Sequence, residues 1–175
     1  MRYGVCVGMP SERRQRRSSA YDGPLFDEID RRILVELQDD GRVTMAELGR
    51  RANLSAPAVG ERVQRLEESG VITGYSAVVD PRAIGYPIAA IVRIRPARRQ
   101  LHKVPEVAQS TPQVVECHRV TGEDCYIARL HLRSMDDLEG ILDRFAAVGQ
   151  TTTSIVHSAP VAHRPLPLPD ASDGG

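Results

Sequence analysis

Asn53–Ile72 reads NLSAPAVGERVQRLEESGVI, and its reading decides the fold of the first half of the chain. Ser55 is a helix-capping residue whose hydroxyl can accept from a free N–H of the first turn. Val59, Val63 and Leu66 then recur at helical spacing, and Gly70 stands where a left-handed stop is expected. The first turn, Ser55-Ala56-Pro57-Ala58, carries only small side chains. Larger ones would bury more core, so the bareness calls for a reason.

The segments upstream supply one. Ile29, Ile33, Leu34 and Leu37 share one face of a first helix that Asp27 can cap and Gly41 close. Thr44-Met45-Ala46-Glu47 opens a second helix as a capping box, hydroxyl and carboxylate each satisfying a backbone N–H, with Leu48 and Ala52 inward. Although small three-helix units also serve as protein-binding modules, two short helices meeting through Arg51–Ser55 make a helix-turn-helix candidate. In such a unit the N-terminal residues of the second helix lie nearest the base edges of the DNA major groove. A bare first turn lets its backbone approach DNA, and Ser55 with the free N–H groups can reach a phosphate. A short strand is expected at about Tyr75–Val79.

At about 100° per residue, Pro57, Glu61 and Arg65 fall opposite the apolar seam, as the groove-facing set. Ala58 belongs to the same bare turn. Glu61 and Arg65 could equally form an i,i+4 surface pair. Arg62, at the edge of the seam, suits a phosphate or a structural ion pair. Arg50 and Arg51 end the second helix, where they complement its dipole or reach a phosphate. With Thr44 at the start of that helix, the candidate DNA contacts are Thr44, Arg50, Ser55, Pro57, Ala58, Glu61, Arg62 and Arg65.

The remainder changes rhythm. Ile88–Arg95 reads as a strand and 98–110 as a helix with Leu101, Val104 and Val107 inward, which Pro105 would shorten or kink. Gln113–Val120 and Tyr126–Leu132 read as strands. Ser134 opens a helix carrying Leu138, Ile141, Leu142 and Phe145, Gly149 ends it, and Thr151–His157 is a last strand. The order βαββαβ is ferredoxin-like. The fold class is therefore α+β: an N-terminal helix-turn-helix, winged-helix-like domain over 25–80, a linker at 81–87, and a C-terminal ferredoxin-like domain over 88–168. A basic arm at 1–24 and a Pro- and Gly-rich tail at 169–175 are expected to be disordered.

The chain has 175 residues and zero net charge, unevenly spread. Five arginines against two acids give the arm +3, whereas seven against eleven give residues 25–80 a charge of −4. An acidic DNA-binding domain argues against indiscriminate attraction to phosphate and leaves room for a small basic edge. No apolar run spans a membrane, the N-terminus lacks a signal-peptide core, and three cysteines suggest no disulfide framework; the expected location is the cytoplasm.

Ile29-Asp30, Ile33-Leu34, Asp40-Gly-Arg42, Leu54-Ser55, Arg62-Val63, Arg65-Leu66-Glu67, Gly70-Val-Ile72 and Gly74-Tyr75 together resemble the Lrp/AsnC family of transcription regulators. The likeness continues through Gly85, Val114–His118, Val120-Thr121-Gly122 and Thr151–Val156. It implies a DNA-binding helix-turn-helix on double-stranded DNA and an effector domain that dimerises through its sheet. It also implies further assembly, often to octamers, and response to an amino acid. The residues themselves offer no catalytic group with a partner and no phosphate-binding glycine loop, so no enzymatic activity and no cofactor are expected.

The turn Thr121–Tyr126 reads alone as an acidic hairpin turn, or as two halves of a zwitterion site: N–H groups near Gly122 for a carboxylate, and Glu123 or Asp124 for an ammonium. The resemblance favours the second reading, because in the family this turn lies between dimers beside the amino-acid site. There the pattern is Gly, two variable residues, then Asp; here Cys125 holds the Asp position. The candidate effector contacts are Val120, Thr121, Gly122, Glu123, Asp124 and Cys125, with Thr152 from the last strand. Cys117 and His118 point to opposite faces of a strand, and no CxxC or HxxxH spacing occurs, so no metal site is expected.

Overall fold

The computed structural model describes residues 26–169. The arm expected at 1–24 and residues 170–175 of the tail lie outside them. The described chain forms two compact units: the described parts of Met1–Ser76 and Pro165–Gly175, and Ala77–Arg164.

The first unit is three helices, α1 (Glu28–Asp39), α2 (Met45–Ala52) and α3 (Ala56–Glu68). Their apolar stripes meet in a core of Ile33, Leu34, Val43, Leu48, Ala52, Val59, Val63 and Leu66, each nearly or fully buried. Ile29, Leu37 and Leu168 pack against it from the edge. Asp27 caps α1 in a reciprocal box with Asp30. At Thr44 the expected box is half formed. The hydroxyl accepts from Glu47 N–H at 3.2 Å, but the Glu47 carboxylate is drawn instead to Arg50 and to Arg51, 2.8 Å away. Two charged partners outcompete one backbone N–H.

The turn between α2 and α3 is tight. Asn53 takes the left-handed conformation at φ 56°, and Leu54 N–H donates to Gly49 O at 2.8 Å. A Cβ on Gly49 would meet Leu54 O at 2.7 Å, so only glycine lets the turn close there. Gly70 is left-handed after α3, at φ 74°. The strand expected at Tyr75–Val79 is not formed: a strand needs a ladder partner, and none pairs with this segment among the described residues.

The second unit is β1 (Ile88–Pro96), α4 (Lys103–Gln109), β2 (Val114–Arg119), β3 (Tyr126–Leu132), α5 (Met135–Ala146) and β4 (Gly149–Ile155). The antiparallel sheet runs β2-β3-β1-β4. Alternate residues Ala90, Val92 and Ile94, and Tyr126, Ala128, Leu130 and Leu132, are buried with Val104 of α4 and Leu138, Ile141 and Phe145 of α5. The other face carries Arg93, Arg95, Ile127, Arg129 and Thr152.

Three expectations shift. The first helix of this unit starts at Lys103, not 98, because Arg99 turns left-handed at φ 66°. Pro105 then falls in the first turn, where its missing N–H would have no helical partner. Leu101 precedes the helix and is 37% exposed. Gly149 does not end α5 but begins β4, where a Cβ would lie 2.8 Å from Pro96 Cα; the close crossing of β4 and β1 requires glycine.

Candidate DNA interface and effector turn

The N-terminus of α3 is built as the sequence suggests. Ser55 Oγ accepts from Ala58 N–H at 3.4 Å, with Pro57 in the first turn. Ser55, Pro57 and Glu61 are exposed and Ala58 is half-buried. Glu61 has no ion pair among the described residues, so the alternative of a surface pair with Arg65 does not form.

Arg65 turns instead to α1. Its Nη2 donates to Asp30 Oδ2 at 2.9 Å and Oδ1 at 3.2 Å. Arg62 Nη1 donates to Asp30 Oδ1 at 2.8 Å and to Asp27 Oδ2 at 2.7 Å. Asp30 is a buried carboxylate, its side chain 3% exposed, with both oxygens occupied. Arg62 is 23% exposed and Arg65 59%. Arg62 therefore forms the structural pair of its two expected roles, whereas Arg65 is tethered and still faces solvent. Burial alone would raise the Asp27 pKa; the Asp30 N–H and the Arg62 hydrogen bond and charge outweigh it and hold it below the ordinary carboxylate value. The same two carboxylates raise the Arg62 pKa.

Of the α2 candidates, Thr44 is exposed at the helix start. Arg50 is exposed and paired with Glu47. Arg51 pairs with Glu36 at 2.5 Å and Glu47 at 2.8 Å. Both arginines are thus engaged within the unit, on the surface, where an ion pair is weak and exchangeable.

The turn from Val120 to Cys125 joins β2 to β3. Val120 N–H donates to Cys125 O at 2.8 Å. Gly122 (φ 108°) and Cys125 (φ 60°) are both left-handed. Cys125 Sγ lies near carbonyl oxygens of its own turn, 3.8 Å from that of Glu123. Thr121, Gly122 and Glu123 are exposed. Glu123 pairs with Arg95, and Asp124 lies 3.6 Å from Arg93. Arg93 is the register partner of Thr152 on the same face. The strands thus gather Glu123, Asp124 and Thr152 around two arginines. No group of three or more His, Cys, Asp or Glu among the described residues could hold a metal ion.

Two family models match the chain: a winged helix-turn-helix DNA-binding domain over residues 26–73 and an Lrp/AsnC ligand-binding domain over 89–166. The chain is 33% identical over 133 residues to the HTH-type transcriptional regulator LrpC of Bacillus subtilis, covering 76% of this chain and 92% of LrpC. It is 39% identical over 129 residues to LrpA of Mycobacterium tuberculosis, covering 73% and 86%. The chain belongs to the Lrp/AsnC family of transcriptional regulators. Solved structures of transcriptional regulators agree. Bacillus subtilis LrpC superposes with a TM-score of 0.73 over 77% of this chain and 96% of that one. The Neisseria meningitidis regulator NMB0573, solved as an L-Met complex, is 26% identical with a TM-score of 0.74 over 81% of this chain and 96% of that one.

Membership makes this chain a DNA-binding regulator with a ligand-binding domain, in a family of regulators rather than enzymes. In this Lrp/AsnC chain, sequence reasoning missed three kinds of residue. Arg93 and Arg95 were readable as charges alternating with apolar residues on β1, which puts them on the open face. Asp30 was readable as an acid within an apolar seam, which needs cationic partners if buried. Gly49 was readable as a lone glycine inside a helix.

Proposed function

We propose that this chain is a sequence-specific transcription regulator whose DNA occupancy is set by an amino acid held at the Val120–Cys125 turn. The exposed, capped, small-residue N-terminus of α3 carries the DNA half of the reading. Pro57, Glu61 and Arg65 face the groove, Ser55 and Ala58 bring the first turn close to it, and Thr44 and Arg50 lie along its edges, while Arg62 ties the helix to α1. A dimer formed through the open sheet face presents two α3 helices to half-sites one or more helical turns apart, and dimers assemble further, to octamers.

For the effector, Arg93 and Arg95 offer charge for a carboxylate, and Glu123 and Asp124 for an ammonium. An amino acid binding there would exchange internal pairs for its own. It would shift DNA occupancy only through different affinities for different assembly states. A regulator similar in fold has been solved with L-Met, which supports an amino-acid class of ligand.

A second reading is an architectural DNA binder without an effector. Cys125 favours it, at a position where the family pattern has Asp, as does the pairing of both acids within the unit. Thermal melting of the intact protein against the twenty amino acids separates the two. A ligand at 100 times its Kd adds about 2.7 kcal/mol to the folded state, and Asp124→Ala should abolish that gain. No rise with any amino acid, in protein that binds DNA, would leave the architectural reading.

A further inference from the structure

We propose that Asp30 is a positioning residue for DNA recognition: it holds Arg65 on the flank of α3 before DNA arrives. The proposal rests on the reading of α3 as the recognition helix. Asp30 lies on α1, fixed at both its backbone and its carboxylate. Its N–H donates to Asp27 Oδ1 at 2.8 Å, and its Oδ2 accepts from Asp27 N–H at 3.2 Å. The two arginines on it divide the work. Arg62 spends Nη1 on two carboxylates and is mostly covered. Arg65 uses only Nη2 and is 59% exposed. Its Nε and Nη1 form no hydrogen bond among the described residues and remain able to donate.

An unrestrained arginine loses much side-chain freedom on binding. One already clamped loses less, which is preorganisation. The outward residues of α3 beside it, Glu61, Gln64 and Glu68, include no cation. Gln64 Nε2 donates to Glu68 Oε1 at 2.8 Å. Arg65 is therefore the exposed cation of the recognition helix, and its direction sets where a phosphate or guanine edge can sit.

The test uses the intact chain. The probes are a duplex that the wild-type protein selects from a random-sequence library and a scrambled duplex of the same length and composition. Affinities are measured by fluorescence anisotropy for wild type, Asp30→Asn, Arg65→Ala and the double variant. Asp30→Asn should weaken binding to the selected duplex roughly tenfold and leave scrambled binding unchanged or slightly stronger, since it removes a negative charge. Arg65→Ala should lose the same preference, and adding Asp30→Asn to it should cost no further preference. A purely structural role would lower both affinities by one factor, or add to Arg65→Ala, and either result overturns the proposal. If Asp30→Asn does not fold, Asp30→Glu keeps the charge but displaces the oxygens, and should lose preference while staying folded. Preserved preference there overturns the proposal. Wild-type preference with no effect of Arg65→Ala removes the contact and its positioning together. Equal wild-type binding to both duplexes instead sinks the reading of α3 itself.

Discussion

At Gly49 the backbone of one helix touches the turn that aims the next. A methyl there would press against Leu54 O at 2.7 Å, in a turn held closed by the Leu54 N–H bond to Gly49 O. Gly49→Ala should destabilise the helical unit by about 1–3 kcal/mol, read as a lower urea midpoint. An unchanged midpoint would mean the turn shifts without cost. Asp27 makes a pH prediction at the same scale. Its folded pKa lies below the unfolded value of about 3.9, so its contribution is present above that value and lost as pH falls through the folded pKa. Melting temperatures of the helical unit should therefore fall as pH drops below about 4. Asp27→Asn should flatten part of that fall; because the carboxylate is half exposed, the effect should be modest.

At the scale of elements, α3 is defined by its cap. Ser55→Ala removes one side-chain acceptor at a free helix end and should cost about 0.5–1 kcal/mol, with weaker DNA binding if the hydroxyl also meets phosphate. A full-strength DNA complex from that variant would restrict Ser55 to capping. The helices were legible in the sequence because caps, seams and stops are local. Asp27, Ser55 and Gly70 stand where the pattern placed them. Where the outcome differs, a specific charged partner or a close packing contact outweighs local preference. Glu47 left its capping role for two arginines. Arg65 left Glu61 for Asp30, thirty-five positions away. Gly149 serves a close crossing with β1 rather than a helix end. Tyr75–Val79 has strand composition but no described partner to pair with.

At the scale of the whole molecule, the sequence states the division of labour: a helical unit whose polar side carries α3, and a sheet unit whose open face carries charge. It does not state how that charge is arranged. The pairing of Glu123 with Arg95 and Asp124 with Arg93 depends on which residue of β1 the turn reaches, and this follows from strand register rather than composition. The acidic balance of residues 25–80 likewise acquires a structural meaning, since Asp27 and Asp30 pair with two arginines of α3 and limit attraction to DNA at large. Preference among sequences then depends on few, fixed contacts. The most direct measurement is the affinity of the intact protein for its library-selected duplex and for the scrambled duplex at about 0.15 M salt. A sequence-specific regulator should bind the selected duplex about a thousandfold more tightly or better. Equal affinity for the two would contradict the account.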